Sequence, residues 1–392
     1  MTKTILIVDD ELQLLKVLKR ILMKKNYLVY LAESGHRALE VLATQSVDMI
    51  ITDLRMPGMD GLELLTEVKN RYPEVIRIVL SGYATERMLF QLFGNDLAKM
   101  CIYKPWDNTV LLQNVSQIFE LNRILTGKQM IEIIRKLNQL PVLKHSYVEL
   151  FKLMEQNLSM DEIEQLLMKD QTLAASILDI VNTAFFQTNT GSIKQAITSL
   201  GISQIKSIVL LASVTDIQSH SRIRKASYDL LSTYSNITNK ICHLIFKEFL
   251  KKEASSNNFS LGLLQGIGRM VLMDNFGAQY EEVIRSWRMG KGLLHEIEKE
   301  ALGISHKEMT GYLLNCWGLP YRLIEPILFH HTPWEEGIMN KELTYVLYLA
   351  EYYATRYMNG IWPESLDNRG YEFLRIDKEM LETRIYSELH IA

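Results

Sequence analysis

Residues 49–61 read MIITDLRMPGMDG. Met49, Ile50 and Ile51 form a short apolar run suited to a buried strand, and the carboxylate of Asp53 stands where that run stops. Pro57, Gly58 and Gly61 then turn the chain before a new amphipathic segment begins. In open parallel α/β sheets, ligands gather beyond the carboxyl ends of the strands, so Asp53 lies where such a sheet does its chemistry. A strand-end aspartate is also a common cap or turn residue, and Asp53 alone decides nothing.

Three other stretches converge on it. ILIVDDE, Ile5 to Glu11, is an apolar strand ending in the adjacent acids Asp9 and Asp10. IRIVLSGYA, Ile76 to Ala84, is a strand ending in the hydroxyl of Ser81, and MCIYKPWD, Met100 to Asp107, ends in Lys104 followed by Pro105. Three carboxylates close together repel one another unless a divalent cation joins them, and hard oxygen ligands suit magnesium. A lysine and a hydroxyl at the rim would hold the oxygens of a phosphoryl group on Asp53.

This combination, in this order and on strand ends, resembles the response-regulator receiver domain over residues 1–125. The resemblance implies that Asp53 is the phosphoryl acceptor, and that Asp9, Asp10, Asp53 and the backbone carbonyl of Arg55 surround Mg2+. It also implies that Ser81 and Lys104 sense the phosphoryl group, and that a sensor histidine kinase supplies it. One departure matters. Such domains place an aromatic switch residue three positions before the lysine, and that position holds Cys101. Tyr103 is aromatic, but strand alternation points it to the other face from Lys104.

Helical periodicity alternates with these strands: Leu14, Val17, Leu18 and Ile21 mark one face of a first helix, and others run through Ala38 to Leu42 and from Leu62 to Tyr72. The alternation predicts a doubly wound parallel sheet of five strands with helices on both faces. After Trp106 the pattern changes. Val110 to Ile124 is an apolar-rich helical stretch, Gly127 marks its end or a kink, and Met130, Ile131, Ile134 and Leu137 begin another helix. From Val110 to Leu137 the apolar positions cover more than one face. An ordered connector is therefore expected, with a homodimer built partly on it as one way to bury the second face.

From residue 126 to 392 no convincing strand appears, and an all-α module is expected. Ser159 with Glu162 forms a capping box, Asp170 can cap the next helix, and Lys251 to Ser260 reads as a polar loop. LPVLKHSYVELFKLM, the run KDQTLAASIL with Asn182, and AITSLG at Ala196 to Gly201 resemble the HDOD output domain. That domain is a helical relative of the metal-dependent HD phosphohydrolases, including the HD-GYP enzymes that cleave cyclic di-GMP. Those enzymes need a His-Asp pair, further histidines and a final aspartate to bind two metals that activate water.

In LLQGIGRMVL the resemblance puts Gln265 and Gly266 where His and Asp would stand, Glu351 at the final Asp, and the first His near Tyr234. His306, His330 and His331 remain at matching places. Gln is a poor ligand and Gly has no side chain, so two metals cannot be held in the needed geometry. The expectation is a non-catalytic module in which these imidazoles pack and hydrogen-bond in a core, acting on an unknown downstream protein target. The alternative is a degenerate HD phosphodiesterase acting on a cyclic dinucleotide.

Composition bounds the rest. Hydrophobic residues make up 47% and charged residues 23% of the 392, as in ordinary globular proteins. No apolar run approaches the ~20 residues of a membrane helix, and MTKTILIVDDE reads as a first strand rather than a signal peptide. Cys101, Cys242 and Cys316 are far apart and odd in number, which suits reduced thiols in a cytoplasm. Residues 1–125 carry 15 Lys/Arg against 15 Asp/Glu, and the remainder 28 against 31, so no basic excess supports direct DNA binding.

Overall fold

The computed structural model describes residues 2–82, 92, 96–137, 160–168, 174, 177–178, 192–200, 205, 209, 222–252, 261–317, 319, 321–359 and 366–389. The chain divides into two compact units, Met1–Leu121 with Gly318–Arg322, and Asn122–Trp317 with Leu323–Ala392.

The first unit is built on five strands: β1 (Thr4–Val8), β2 (Leu28–Ala32), β3 (Met49–Asp53), β4 (Ile76–Ser81) and β5 (Met100–Tyr103). All pair in parallel in the order β2-β1-β3-β4-β5. Every residue of β1 and β4 is buried, which is why these strands read as unbroken apolar runs rather than as alternation. The strand order reverses between β1 and β3, and the crevice of such a sheet opens at that switch point. Val8 pairs with Thr52, so the residues that follow, Asp9 and Asp53, lie side by side at the carboxyl edge.

Local signals fix the helices. In α1 (Leu12–Met23) the buried residues are Leu15, Leu18, Ile21 and Leu22, whereas Leu14 is half-buried and Val17 exposed. The apolar face expected from Leu14 and Val17 is therefore rotated by one position, because Leu12, Leu14, Leu15, Val17 and Leu18 allow more than one apolar stripe. Helix α2 (Gly35–Thr44) is capped by Ser34. Helix α3 (Gly61–Arg71) starts one residue earlier than its pattern suggests, because Asp60 and Glu63 form a reciprocal capping box. Gly61 has a steric reason: a Cβ there would fall 2.2 Å from the carbonyl oxygen of Asp53, and its N–H donates to the Leu54 carbonyl at 3.0 Å. The start of α3 is thus held against the end of β3, which fixes the backbone around Asp53.

Helix α4 (Asn108–Thr126) carries a buried stripe of Leu111, Val115, Ile118, Leu121 and Leu125, spaced at helical intervals. Gly127 is the break expected from the sequence, and α5 (Lys128–Lys136) follows it. Val110 and Ile131 remain exposed.

From residue 160 on, the regular elements among the described residues are helices: α6 (Met160–Met168), α7 (Ile193–Leu200), α8 (Arg222–Leu244) running into a π turn (Ile245–Phe249), α9 (Leu261–Leu264), α10 (Ile267–Phe276), α11 (Ala278–Arg288), α12 (Leu294–Leu302), α13 (His306–Cys316), α14 (Tyr321–Phe329), α15 (Lys341–Asn359), α16 (Arg369–Leu374) and α17 (Lys378–Glu388). Helix α8 packs on α9 and α15, and α10 packs on α13. Ser159, Asp170, Asn182 and residues 253–260 of the expected loop lie outside the described residues.

Candidate functional site

At the carboxyl edge of the sheet one ammonium joins two carboxylates. Lys104, immediately after β5, donates to Asp9 Oδ2 at 2.9 Å and to Asp53 Oδ2 at 2.7 Å. Asp9 is buried and Asp53 half-buried, so the pair is partly withdrawn from water. Burial opposes the charge on Lys104, but the hydrogen bonds to Asp53 and Asp9 outweigh it and hold its pKa above the ordinary lysine value. The other oxygen of Asp53 accepts from the N–H of Leu54 at 2.6 Å and of Arg55 at 3.4 Å, and Asp9 Oδ1 accepts from the N–H of Glu11. These bonds aim both carboxylates toward a common point.

Ser81 ends β4 and is buried, and its carbonyl accepts from the N–H of Lys104 at 2.8 Å. The Lys104–Pro105 peptide is cis. Asp10 is exposed directly after Asp9. Cys101 packs on the apolar core, where burial pushes its thiol up to about 11, while Tyr103 is exposed. Asp9, Asp53 and Lys104 are thus joined by hydrogen bonds, with Ser81 tied to Lys104 through the backbone.

The fit to a divalent cation can be judged from this geometry. Asp9 Oδ2 and Asp53 Oδ2 converge on one cation-sized point, now held by the ammonium, and the donors are hard oxygens of the kind magnesium takes.

The second unit holds a buried polar cluster. His306 begins α13, His330 and His331 follow α14, and Glu351 lies on α15; their ligand atoms all fall within 4.8 Å of one another. Around them stand Tyr234, at the place matching the first His, and three groups that the sequence did not single out, Arg269, Glu298 and His295. Arg269 of α10 donates to Glu351 Oε1 and sits over the ring of Tyr234 at 4.7 Å. Tyr234 itself donates to Glu351 Oε1 at 2.8 Å. Glu298 of α12 is fully buried and accepts from the N–H of His306 at 2.7 Å, its Nδ1–H at 2.6 Å and the Tyr280 hydroxyl at 2.8 Å. His295 stacks on His331 with ring centroids 4.4 Å apart.

The electrostatics follow from depth. Burial lowers the His306 pKa, although Glu298 opposes it, and burial lowers His331 and takes His295 down to about 3. Glu351 would be raised by burial, but His330, His331 and Arg269 outweigh this and hold it well below the carboxylate range. For Arg269 the balance runs the same way: burial opposes the charge, and Tyr234 and Glu351 keep it.

Gln265 is fully buried and neither side-chain amide atom has a hydrogen-bond partner, while its carbonyl accepts from Thr310 Oγ1 at 3.1 Å. A Cβ on Gly266 would fall 2.1 Å from Ser235 Oγ and 3.5 Å from Ser235 Cβ, so any side chain there requires the Ser235 hydroxyl to turn away. One sequence signal for Arg269 existed: it is the single charge in the apolar run IGRMVL. Glu298 had none, since its role depends on the fold bringing α12 onto α13.

Comparison with known proteins matches residues 5–116 to the response regulator receiver domain and residues 140–333 to the HDOD domain. The hydrogenase transcriptional regulatory protein HoxA of Cupriavidus necator is 37% identical over 117 residues, covering 30% of this chain and 24% of that protein. The transcriptional regulatory protein GlrR of Escherichia coli is 34% identical over 114 residues, covering 27% of this chain and 26% of that protein. The chain thus spans about a quarter of the length of these curated relatives. An HDOD domain protein with unknown function from Geobacter sulfurreducens aligns over 70% of this chain and 95% of its own, with 18% identity and a TM-score of 0.53, a likeness of fold alone. No described helix is long and apolar enough to cross a membrane.

Proposed function

We propose that this chain, which carries a response regulator receiver domain followed by an HDOD domain, is a cytoplasmic signalling switch set by phosphorylation of Asp53. The observation that carries the reading is the single ammonium of Lys104 bridging Asp9 and Asp53 at the switch point of the sheet. A histidine kinase is the phosphodonor. Asp53 forms the new O–P bond as the bond from phosphorus to the donor breaks. Asp9, Asp10, Asp53 and the carbonyl of Arg55 would hold magnesium, which neutralises charge on the incoming group. The phosphoryl group adds about −1.5 to −2 charges, and Lys104 and the Ser81 hydroxyl turn toward its oxygens.

The receiver, residues 1–125, passes its state to residues 126–392 through α4 and α5. With Cys101 at the aromatic switch position, the readout falls on Lys104 and the start of α4 rather than on a swinging ring. The HDOD module is non-catalytic and works by binding a protein target: Gln265 and Gly266 give no ligand pair, and Arg269 engages the carboxylate of Glu351. Transcriptional control named for the relatives is not carried over, because the matches cover only 27–30% of this chain. The connector buries Leu111, Val115, Ile118, Leu121, Leu125 and Met130, so a homodimer would have to form on the exposed Val110 and Ile131 and on half-buried residues such as Ile133 and Ile134.

Intact-mass measurement tests the acceptor. Acetyl phosphate with magnesium should add one phosphoryl group to the wild type, and none to Asp53→Asn or Asp10→Ala. Equal labelling of Asp53→Asn would overturn the assignment.

A further inference from the structure

The buried cluster of the helical module presents a problem of charge and lone pairs. Nδ1 of His330 lies 2.7 Å from the carbonyl oxygen of Ile327, an acceptor only, so this nitrogen carries the ring proton. In the neutral ring Nε2 of His330 then bears a lone pair, whereas in the charged ring it would donate to Glu351. It is fully buried, has no hydrogen-bond partner, and faces Glu351 Oε2 at 2.7 Å. His306 repeats the arrangement: its Nδ1–H donates to Glu298 Oε2, which leaves Nε2 as a second inward-facing lone pair. Nε2 of His331 completes the group, 3.2 Å from His306 Nε2 and 3.7 Å from Glu351 Oε2.

Arg269 answers only part of this. Its Nη2 donates to Glu351 Oε1 and lies 3.4 Å from His306 Nε2. Glu351 Oε2 and the Nε2 atoms of His330 and His331 are still turned on one another. Electron-pair donors gathered in a dry interior are met either by a proton on His330 or by a metal cation among them. The spacing is near that of one: four ligands at about 2.0–2.1 Å around a tetrahedral ion lie roughly 3.3 Å apart, against separations of 2.7, 3.2 and 3.7 Å in a set that spans up to 4.8 Å, so the outermost donors would draw in on binding. Imidazoles oriented through their far nitrogen by a carboxylate or a backbone carbonyl are the arrangement found behind metal-binding histidines, and both occur here.

We propose that His306, His330, His331 and Glu351 bind one divalent transition-metal ion, of the zinc class that imidazole and carboxylate donors favour. With four protein ligands and side-chain exposures of 0, 0, 15 and 5%, the site is closed and leaves no position for a reacting water. Arg269 takes the other oxygen of Glu351, so one ion binds rather than two. The metal is structural: it ties α13, α15 and the end of α14 together in a module with no hydrolytic role. This goes beyond the receiver assignment and departs from the expectation that the three histidines merely fill a core.

The test uses the full-length protein without a histidine tag, carrying Asp53→Asn so that the receiver carboxylates are not counted. After chelator treatment and dialysis, zinc is titrated against a chromophoric chelator, and cobalt is added separately for its visible spectrum. The expected result is one zinc per chain, a tetrahedral cobalt spectrum, and a melting temperature that rises with zinc. His330→Ala should lose stoichiometric metal, and Glu298→Gln, which keeps all four ligands, should bind roughly 10–100-fold more weakly. If the folded parent takes up less than stoichiometric zinc and cobalt, the site does not exist. Metal that stays on His330→Ala with unchanged affinity would be adventitious and would equally overturn it. Neither failure touches the phosphorylation of Asp53, which is read by mass.

Discussion

Replacing Lys104 with Met removes the cation between Asp9 and Asp53 while keeping an unbranched stem of similar reach. Lys104 is 20% exposed, Asp53 14% and Asp9 2% at the side chain. Truncating one partner of a fully buried pair costs about 3–5 kcal/mol, because the other charge is left without compensation. Water reaches Lys104 and Asp53 in part, so screening scales the cost to about 2–3 kcal/mol. Two structural units make a single unfolding midpoint ill-defined, so the readout has to be local. Amide exchange of the peptide spanning Met49–Asp53, read by mass spectrometry, should speed up by roughly 30- to 150-fold at about 1.4 kcal/mol per decade. Magnesium then discriminates. An ion binding the folded state at 100 times its Kd returns about 2.7 kcal/mol, so saturating magnesium should restore most of the lost protection in Lys104→Met. In the wild type the gain should be smaller, because the ammonium already sits between the carboxylates. Unchanged exchange in magnesium-free Lys104→Met, or a magnesium gain no larger than in wild type, would refute the shared cation point.

Two other outcomes follow from packing. Gly266→Asp should destabilise the packing of α8 near Ser235, since its Cβ would fall 2.1 Å from Ser235 Oγ, and Ser235→Ala, which removes that oxygen, should relieve part of the loss; near-ultraviolet circular dichroism of the single and double variants reads both. A Gly-Ser insertion after Arg123 interrupts α4 near its carboxyl end, and should leave labelling of Asp53 intact while abolishing any phosphorylation-dependent change in residues 128–389, as peptide-level exchange would reveal.

How much of this was legible in the sequence depended on range. The strand ends at Asp9, Asp53, Ser81 and Lys104 could be read because each chemical residue follows its own apolar run, and a parallel sheet puts all such ends on one edge. The break at Gly127 was equally local. The face of α1 was misplaced because Leu12, Leu14, Leu15, Val17 and Leu18 leave the apolar stripe undetermined until β2 packs on it. In the helical module the four ligand atoms were visible only as residue types. Arg269 reaches Glu351 across 82 positions, and Glu298 orients His306 only after α12 folds back onto α13. No local pattern encodes either contact. The reason for Gly266 likewise lies in the side chain of Ser235, on a helix that begins more than forty residues upstream.

Hydrogen exchange of the full chain, with and without acetyl phosphate and magnesium, tests the switch most directly when wild type and Asp53→Asn are run side by side. Phosphorylation of Asp53 should change protection at the ends of β3, β4 and β5 and in the Asn122–Thr126 end of α4, in the wild type alone. Identical exchange in both states of the wild type, or the same change in Asp53→Asn, would contradict control of the helical module through Asp53.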